Sequence, residues 1–331
     1  MAVRRRRFTP DFDPVFGDRP LAAALQDIVI GRWQTARDLL YETGDDWPLR
    51  THRLRLLAHT AAETSAAESW RAAEPDSADG AVLGAATQVV RVLHTAVGAG
   101  AHHAGSHCGG CTADRAVLDA TVLSCLKAAD ARPADPMPWV SLLTLARLYE
   151  EGVSPRELWR WQDELRRRDP YNMEGHVQLL RYYSARWHGT HGTMYDFARD
   201  AAGAAPLGSP LPVLVQIARV EEYRYIADMA RGRPVRGFDQ HWKHELAEVE
   251  VRRTWHRWIL GRPPGPPAPH EVGDLNCLTH AACHAGLKEQ ARSLFTLLGR
   301  QASRVPWSYT GDPAEQFTRF RKAVGAAGPL G

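Results

Sequence analysis

Lysine is almost missing from these 331 residues: Lys127, Lys243, Lys288 and Lys322 are the only ones, and arginine supplies the rest of the 41 basic side chains. Against 38 acidic residues the formal net charge is +3. That is too small for a phosphate-tracking surface to be read from charge, so nucleic acid is not an expected partner. With Ala and Gly abundant, arginine in place of lysine reads as the coding bias of a GC-rich bacterial genome. Cysteine is scarce too. Cys108, Cys111, Cys125, Cys277 and Cys283 form an odd set at irregular spacing, which suits reduced thiols in a cytoplasm and not a disulfide framework. Arg5-Arg6-Arg7-Phe8 fits the start of a twin-arginine leader, but the polar Thr9-Pro10-Asp11 that follows is no apolar core, so export is not expected. No run of about 18 apolar residues is present, so no membrane span is expected. The phosphate loop Gly-x-x-x-x-Gly-Lys-Ser/Thr, the nucleophile elbow Gly-x-Ser-x-Gly and a strand-borne Gly-x-Gly-x-x-Gly are all missing.

What is there is helical periodicity. The spacing of apolar residues predicts helices over 21–30, 33–42, 50–73, 81–97, 113–130, 139–151, 155–168, 171–186, 193–204, 211–231, 238–260, 275–286, 287–301 and 313–324. Asp169-Pro170 and Ser154-Pro155 mark helix starts, because Asp or Ser satisfies free amides and Pro fits the first turn. Pairs of helices bearing one apolar stripe each cannot close a core alone and need like neighbours. The fold class expected is therefore all-α, a solenoid of antiparallel helix pairs. The organisation expected is a basic extended segment over 1–19, a helical-repeat body over 20–261 with a Gly/His/Cys loop at 98–112, a Pro-rich linker or loop over 262–270, and a C-terminal helix pair and cap over 271–331.

Gly31, Ala36, Leu40, Thr43 and Pro48 lie at steps of five, four, three and five, and Gly286, Ala291, Phe295 and Leu298 repeat most of that spacing. Both places resemble the tetratricopeptide repeat, in which small residues let the two helices approach and a bulky one fills the groove between them. Each covers about half of one repeat. Trp187, Gly189, Thr190, Met194, Phe197, Ala198 and Arg199 resemble a Trp-Gly-Gly-Ser…Phe-Ala-Arg signature of bacterial helical-repeat proteins of unknown function, with His188 where that pattern has its first Gly. These resemblances imply a fold and no activity.

Several constellations could carry chemistry. His102, His103, His107, Cys108 and Cys111 offer five N or S ligands within ten residues, with the Cys-x-x-Cys spacing of a metal knuckle, so zinc is the cofactor to consider. Cys277, His280 and His284 share a helix face, with Cys283 beside them; core packing is the expected role of that face. His241, His244, Glu245 and Glu248 would share a face of the 238–260 helix, with His256 further on, and a solvated face is expected there. Trp242, Leu246, Val249, Trp255, Trp258 and Ile259 would pack the same helix. Trp159 and Trp161 stand among Arg160, Arg166, Arg167 and Arg168, but Leu158, Trp161 and Leu165 fall on the packing stripe, which makes the arginines a rim. In the central turn, Trp187, His188, His191 and Tyr195 are the candidate groove residues. Two functions follow from different classes. One is a non-enzymatic helical-repeat protein binding a peptide or protein partner in its concave groove. The other is a metal-dependent enzyme or metal-binding accessory protein using residues 102–111.

Overall fold

The computed structural model describes residues 8–101, 113–231, 233 and 238–326. Among them there are fifteen α-helices and no strand, so the all-α expectation holds. The chain divides into two compact units, Asp18–Phe197 and a second made of Met1–Gly17 with Ala198–Gly331.

The first unit contains α1 (Arg19–Val29), α2 (Gln34–Thr43), α3 (Trp47–Ala61), α4 (Ala66–Ala73), α5 (Ala78–Ala101), α6 (Arg115–Ala131), α7 (Met137–Ala146), α8 (Pro155–Arg168) and α9 (Met173–Tyr182), and it ends inside α10 (His191–Ala204). Local chemistry sets the starts. Asp18, Asp46, Asp114, Ser154 and Asn172 each accept a backbone N–H of the first turn, which satisfies amides that have no partner inside the helix. Gly31, which ends the α1 turn, has φ +82°, a conformation open to Gly without cost.

Helices α3, α5, α7 and α9 pack in series, α1 joins the row on α3, and α2, α4, α6 and α8 pack alongside. The amino-terminal ends of the four serial helices meet at one polar network. Arg50 of α3 is fully buried and donates to Asp135 just before α7 (2.7 Å), Asp79 of α5 (2.6 Å) and the Leu40 carbonyl (3.0 Å). Asn172, the cap of α9, donates to Thr51 of α3 at 3.2 Å. The carboxylates there sit at the positive ends of the helix dipoles. In α7 all residues but Thr144 are buried, which makes it the centre of this unit's core.

One helix was expected over 50–73, and the structure breaks it at residues 62–65. The cause lies in α5. Arg91 donates to the Ala61, Ala62 and Thr64 carbonyls, taking acceptors that a continuing helix would have used. Helix α5 is also the one described helix with the length and apolarity of a membrane span, over Ala78–Val97. Most of that window is buried against α3, α4, α6 and α7, as the core helix of a bundle would be.

The second unit holds the end of α10, then α11 (Leu214–Ala230), α12 (Glu245–Thr254), α13 (Val272–His284), α14 (Lys288–Leu298) and α15 (Pro313–Ala323). Its amino-terminal segment is stitched to the stretch after α14 by a bridge between Asp11 and Gln301, with Asp11 N–H to Arg300 O and Ala302 N–H to Asp11 O both 2.7 Å. Residues 262–270 lie within this unit, and Arg262 clamps them by donating to the Gly265 and Pro266 carbonyls and to Glu271. The expected 238–260 helix is a correction. A 3₁₀ turn covers Phe238–Gln240, α12 starts only at Glu245, and Trp255–Ile259 is a π-helical turn. His244 caps α12 by accepting the Leu246 N–H, and the carbonyl of Arg257 takes Gly208 N–H at 2.8 Å.

Candidate binding groove

Helix α7 lies beneath α6 and α8, which both pack on it. Between the flanking helices runs an open groove of about 580 Å³. Leu126 and Asp130 of α6, with Pro133 beyond its end, form one wall; Trp139 of α7 is the floor; Arg160 and Arg168 of α8 form the other wall. The floor is built first. Trp139 is 6% exposed, and the Arg168 guanidinium lies 4.9 Å from its ring centroid, a cation–π contact that also covers the indole. Arg168 then ties the walls together, donating from Nε to Pro133 O at 2.5 Å and from Nη1 to Glu164 Oε2 at 2.7 Å. That hydrogen bond holds the Glu164 carboxyl below the usual carboxylate range, against the opposing effect of burial. Arg167 donates to its other oxygen at 2.8 Å. Glu164 and Arg168 are therefore used up inside the wall. Arg160 and Asp130 are exposed, and the Arg160 charge also acts on the Glu164 carboxyl.

The sequence-predicted residues fall elsewhere. Trp187 stacks under Arg147 at 5.0 Å, and His188 Nε2 donates to the Arg147 carbonyl at 3.0 Å while its ring lies 4.9 Å from Tyr182. Burial pushes the His188 imidazole pKa down, although the carbonyl contact favours the cation. His191 opens α10 and Tyr195 sits one turn later, both half-buried. Thus Trp187 and His188 meet at Arg147, near the end of α7. The candidates His102, His103, His107, Cys108 and Cys111 lie outside the described residues.

Among the described residues no three His, Cys, Asp or Glu side chains gather as a metal-holding group. On α13, His280 is fully buried and Cys277 is 9% exposed. The His280 ring lies 4.4 Å from His284, 4.8 Å from Trp242 and 5.2 Å from Trp307. Burial holds the His280 pKa well below the ordinary value and His284 at about 4, with Arg319 and Lys243 adding to the effect on His284. Burial also pushes the Cys125 thiol up to about 12 and the Cys283 thiol higher, which removes thiolate reactivity. The four residues proposed to share a face with His256 further along do not form one. His241 precedes α12 and donates from Nε2 to Arg219 O at 2.9 Å, His244 is the cap, and Glu248 pairs with Arg252 at 2.8 Å. The packing stripe of α12 is Ala247, Glu250, Val251 and Thr254; Leu246 and Val249 are 43% and 50% exposed. Glu250 can be buried because Arg199 and Arg219 reach it at 2.9 and 2.7 Å.

Sequence reasoning missed the groove. It read Arg160 and Arg168 as a rim and named no residue of the facing wall as part of a site. The rim was the usable signal, because Leu158, Trp161 and Leu165 are buried and Arg160, Glu164 and Arg168 recur at steps of four on the adjacent face. Comparison with protein-family models, with curated proteins and with solved structures returned no match.

Proposed function

We propose that this chain is a non-enzymatic helical-repeat scaffold, an α-solenoid of antiparallel helix pairs, that binds a peptide or protein partner in the groove between α6 and α8. The serial packing of α1, α3, α5, α7 and α9, with the intervening helices alongside, supports the solenoid reading. So does the burial of Ala36, Leu40, Ala291 and Phe295, each 0% exposed, at the positions that resemble a tetratricopeptide repeat. The observation that carries the functional reading is the groove. It is open, Trp139 lies at its base beneath the Arg168 guanidinium, and Arg160 and Asp130 stand exposed on its two rims. Such a surface suits recognition, in which a few anchors and complementary charges select a partner.

The test is a selection of displayed random linear peptides on the full chain, with the Leu126→Arg variant as the counter-target. Circular dichroism melts establish that the variant is folded. The expected result is a convergent motif that binds wild type and loses the variant. Convergent peptides that bind both equally would move the partner surface away from the groove, and no convergence would end the reading.

A further inference from the structure

We infer that Arg321 is the receptor of a small organic acid, whose carboxylate is held side-on by the guanidinium edge that Phe8 leaves uncovered. The site belongs to the second unit and shares no residue with the groove, so its failure would leave the partner reading untouched.

The arginine stands where the helix pattern calls for an apolar side chain. On α15 the buried positions are Phe317 and, one turn later, Arg321. Arg321 is 6% exposed, and its Nε is buried with no acceptor. Among the described residues nothing accepts a hydrogen bond from its side chain or forms an ion pair with it. A guanidinium keeps its charge at neutral pH, and a charge taken from water without a counter-ion is costly. Burial draws its pKa below the ordinary arginine value, and no opposite charge works against that. A methionine would fill the same stripe without the cost, so packing alone gives no use for the charge.

What does touch the guanidinium is a ring. Its central carbon lies 4.3 Å from the Phe8 ring centroid, and Phe8 is stacked on Phe317 at 6.2 Å. A ring covers the face of a guanidinium and takes none of the five N–H groups around its edge. Phe8 therefore fixes the plane of the fork and leaves the edge unanswered. Water at that edge would satisfy a single N–H and leave the charge as it was.

The chain supplies no acid of its own. Asp11 and Asp13, on the segment that follows Phe8, accept the amide hydrogens of Asp13 and Val15, and Asp312 caps α15 by accepting from Glu315. Two other arginines reach the same segment: Arg300 donates to the Thr9 carbonyl at 3.0 Å, and Arg304 lies 5.7 Å from the Phe12 ring. Both are exposed and keep their water, so Arg321 alone makes the demand. One buried charge calls for one opposite charge, and the planar fork of Nε and Nη matches the two oxygens of a planar carboxylate. A phosphate ester would bring a second charge that no buried cation answers.

The experiment is calorimetric titration of the full chain with benzoate, with benzamide as the uncharged isostere and inorganic phosphate as the rival anion. Benzoate should bind once per chain, at least tenfold more tightly than either, and should raise the thermal midpoint. Arg321→Met should weaken benzoate tenfold or more and abolish that rise, while its ligand-free midpoint equals or exceeds that of wild type. Arg321→Lys keeps the charge without the fork and should bind several-fold more weakly than wild type. No benzoate binding, or binding that survives Arg321→Met, would overturn the site. Benzamide or phosphate binding as tightly as benzoate would overturn the carboxylate, and full affinity in Arg321→Lys would overturn the side-on geometry. An Arg321→Met chain that unfolds, or melts well below wild type, would show that the charge is used inside the fold and would overturn the premise.

Discussion

Acid should loosen the second unit through one pair of imidazoles. His280 is fully buried and His284 half-buried, each packed against aromatic rings at 4.4–5.4 Å. Among the described residues the ionisable groups acting on His284 are the cations Arg319 and Lys243, and on His280 it is His284, with no carboxylate acting on either ring. A proton arriving there finds no counter-ion, so the folded-state pKa lies below the unfolded value of 6.5. The sign follows. Above about pH 6.5 both states bind the neutral imidazole and stability is fully present. Below it the unfolded chain takes protons that the folded one refuses, and stability falls until the pH reaches the folded value, about 4 for His284. The whole fall for His284 is about 3 kcal/mol. At pH 5 the full loss would be about 2 kcal/mol, and with solvent reaching the half-buried ring about 1–2 kcal/mol is lost, so the midpoint of a unit this size drops by roughly 2–8 °C. His280 adds to it in the same direction. The assay is thermal unfolding followed by tryptophan fluorescence at pH 7.5 and 5.0, because Trp242 and Trp307 border the pair. His284→Phe keeps an aromatic ring against Phe320 and removes the titration, so its midpoint should shift less between the two pH values than that of wild type. Histidines elsewhere titrate in both proteins and cancel in the comparison. Equal shifts in wild type and variant would refute the reasoning, as would a wild type that gains stability on acidification.

Two further predictions concern the first unit. Asp135→Ala leaves the Arg50 guanidinium buried with Asp79 as its remaining carboxylate and should cost about 3–5 kcal/mol in urea unfolding. Replacing Arg50 with Met in the same protein should recover part of that loss, whereas an additive double variant would show that the pair is uncoupled. Gly189→Ala would place a methyl group 2.1 Å from the Tyr183 carbonyl oxygen, so the turn before α10 must move. A loss of about 1–3 kcal/mol is expected in the same measurement, and an unchanged midpoint would show that this turn is not held against α9.

The predicted elements that survived are those whose ends are decided by neighbours in the chain. Pro155–Arg168 emerges as predicted, because Ser154 and Pro155 open it and the buried stripe Leu158, Trp161, Leu165 repeats at helical spacing. The turn expected over 187–192 instead spans 183–190, because α9 ends at Tyr182 and α10 begins at His191. Some failures are short slips of helix ends, as where Asn172 and not Asp169 caps α9; the larger ones involve a charged side chain answered from far along the sequence. The helix expected over 50–73 breaks because Arg91, some thirty residues later, takes its carbonyls. The expected 238–260 helix starts only at Glu245, and on it Glu250, an acid by type, is drawn inward by Arg199 and Arg219. Arg50 is buried because Asp79 and Asp135 lie 29 and 85 residues away. Periodicity sorts residues by their own polarity, so it places every one of these charges at the surface. The same blindness hid the groove. Arg168 reaches across to the Pro133 carbonyl and over the Trp139 ring, and those contacts exist only after α6 and α8 have been laid across α7. A rim of arginines was therefore legible. Which arginine of the rim is drawn into the walls became legible only from the packing.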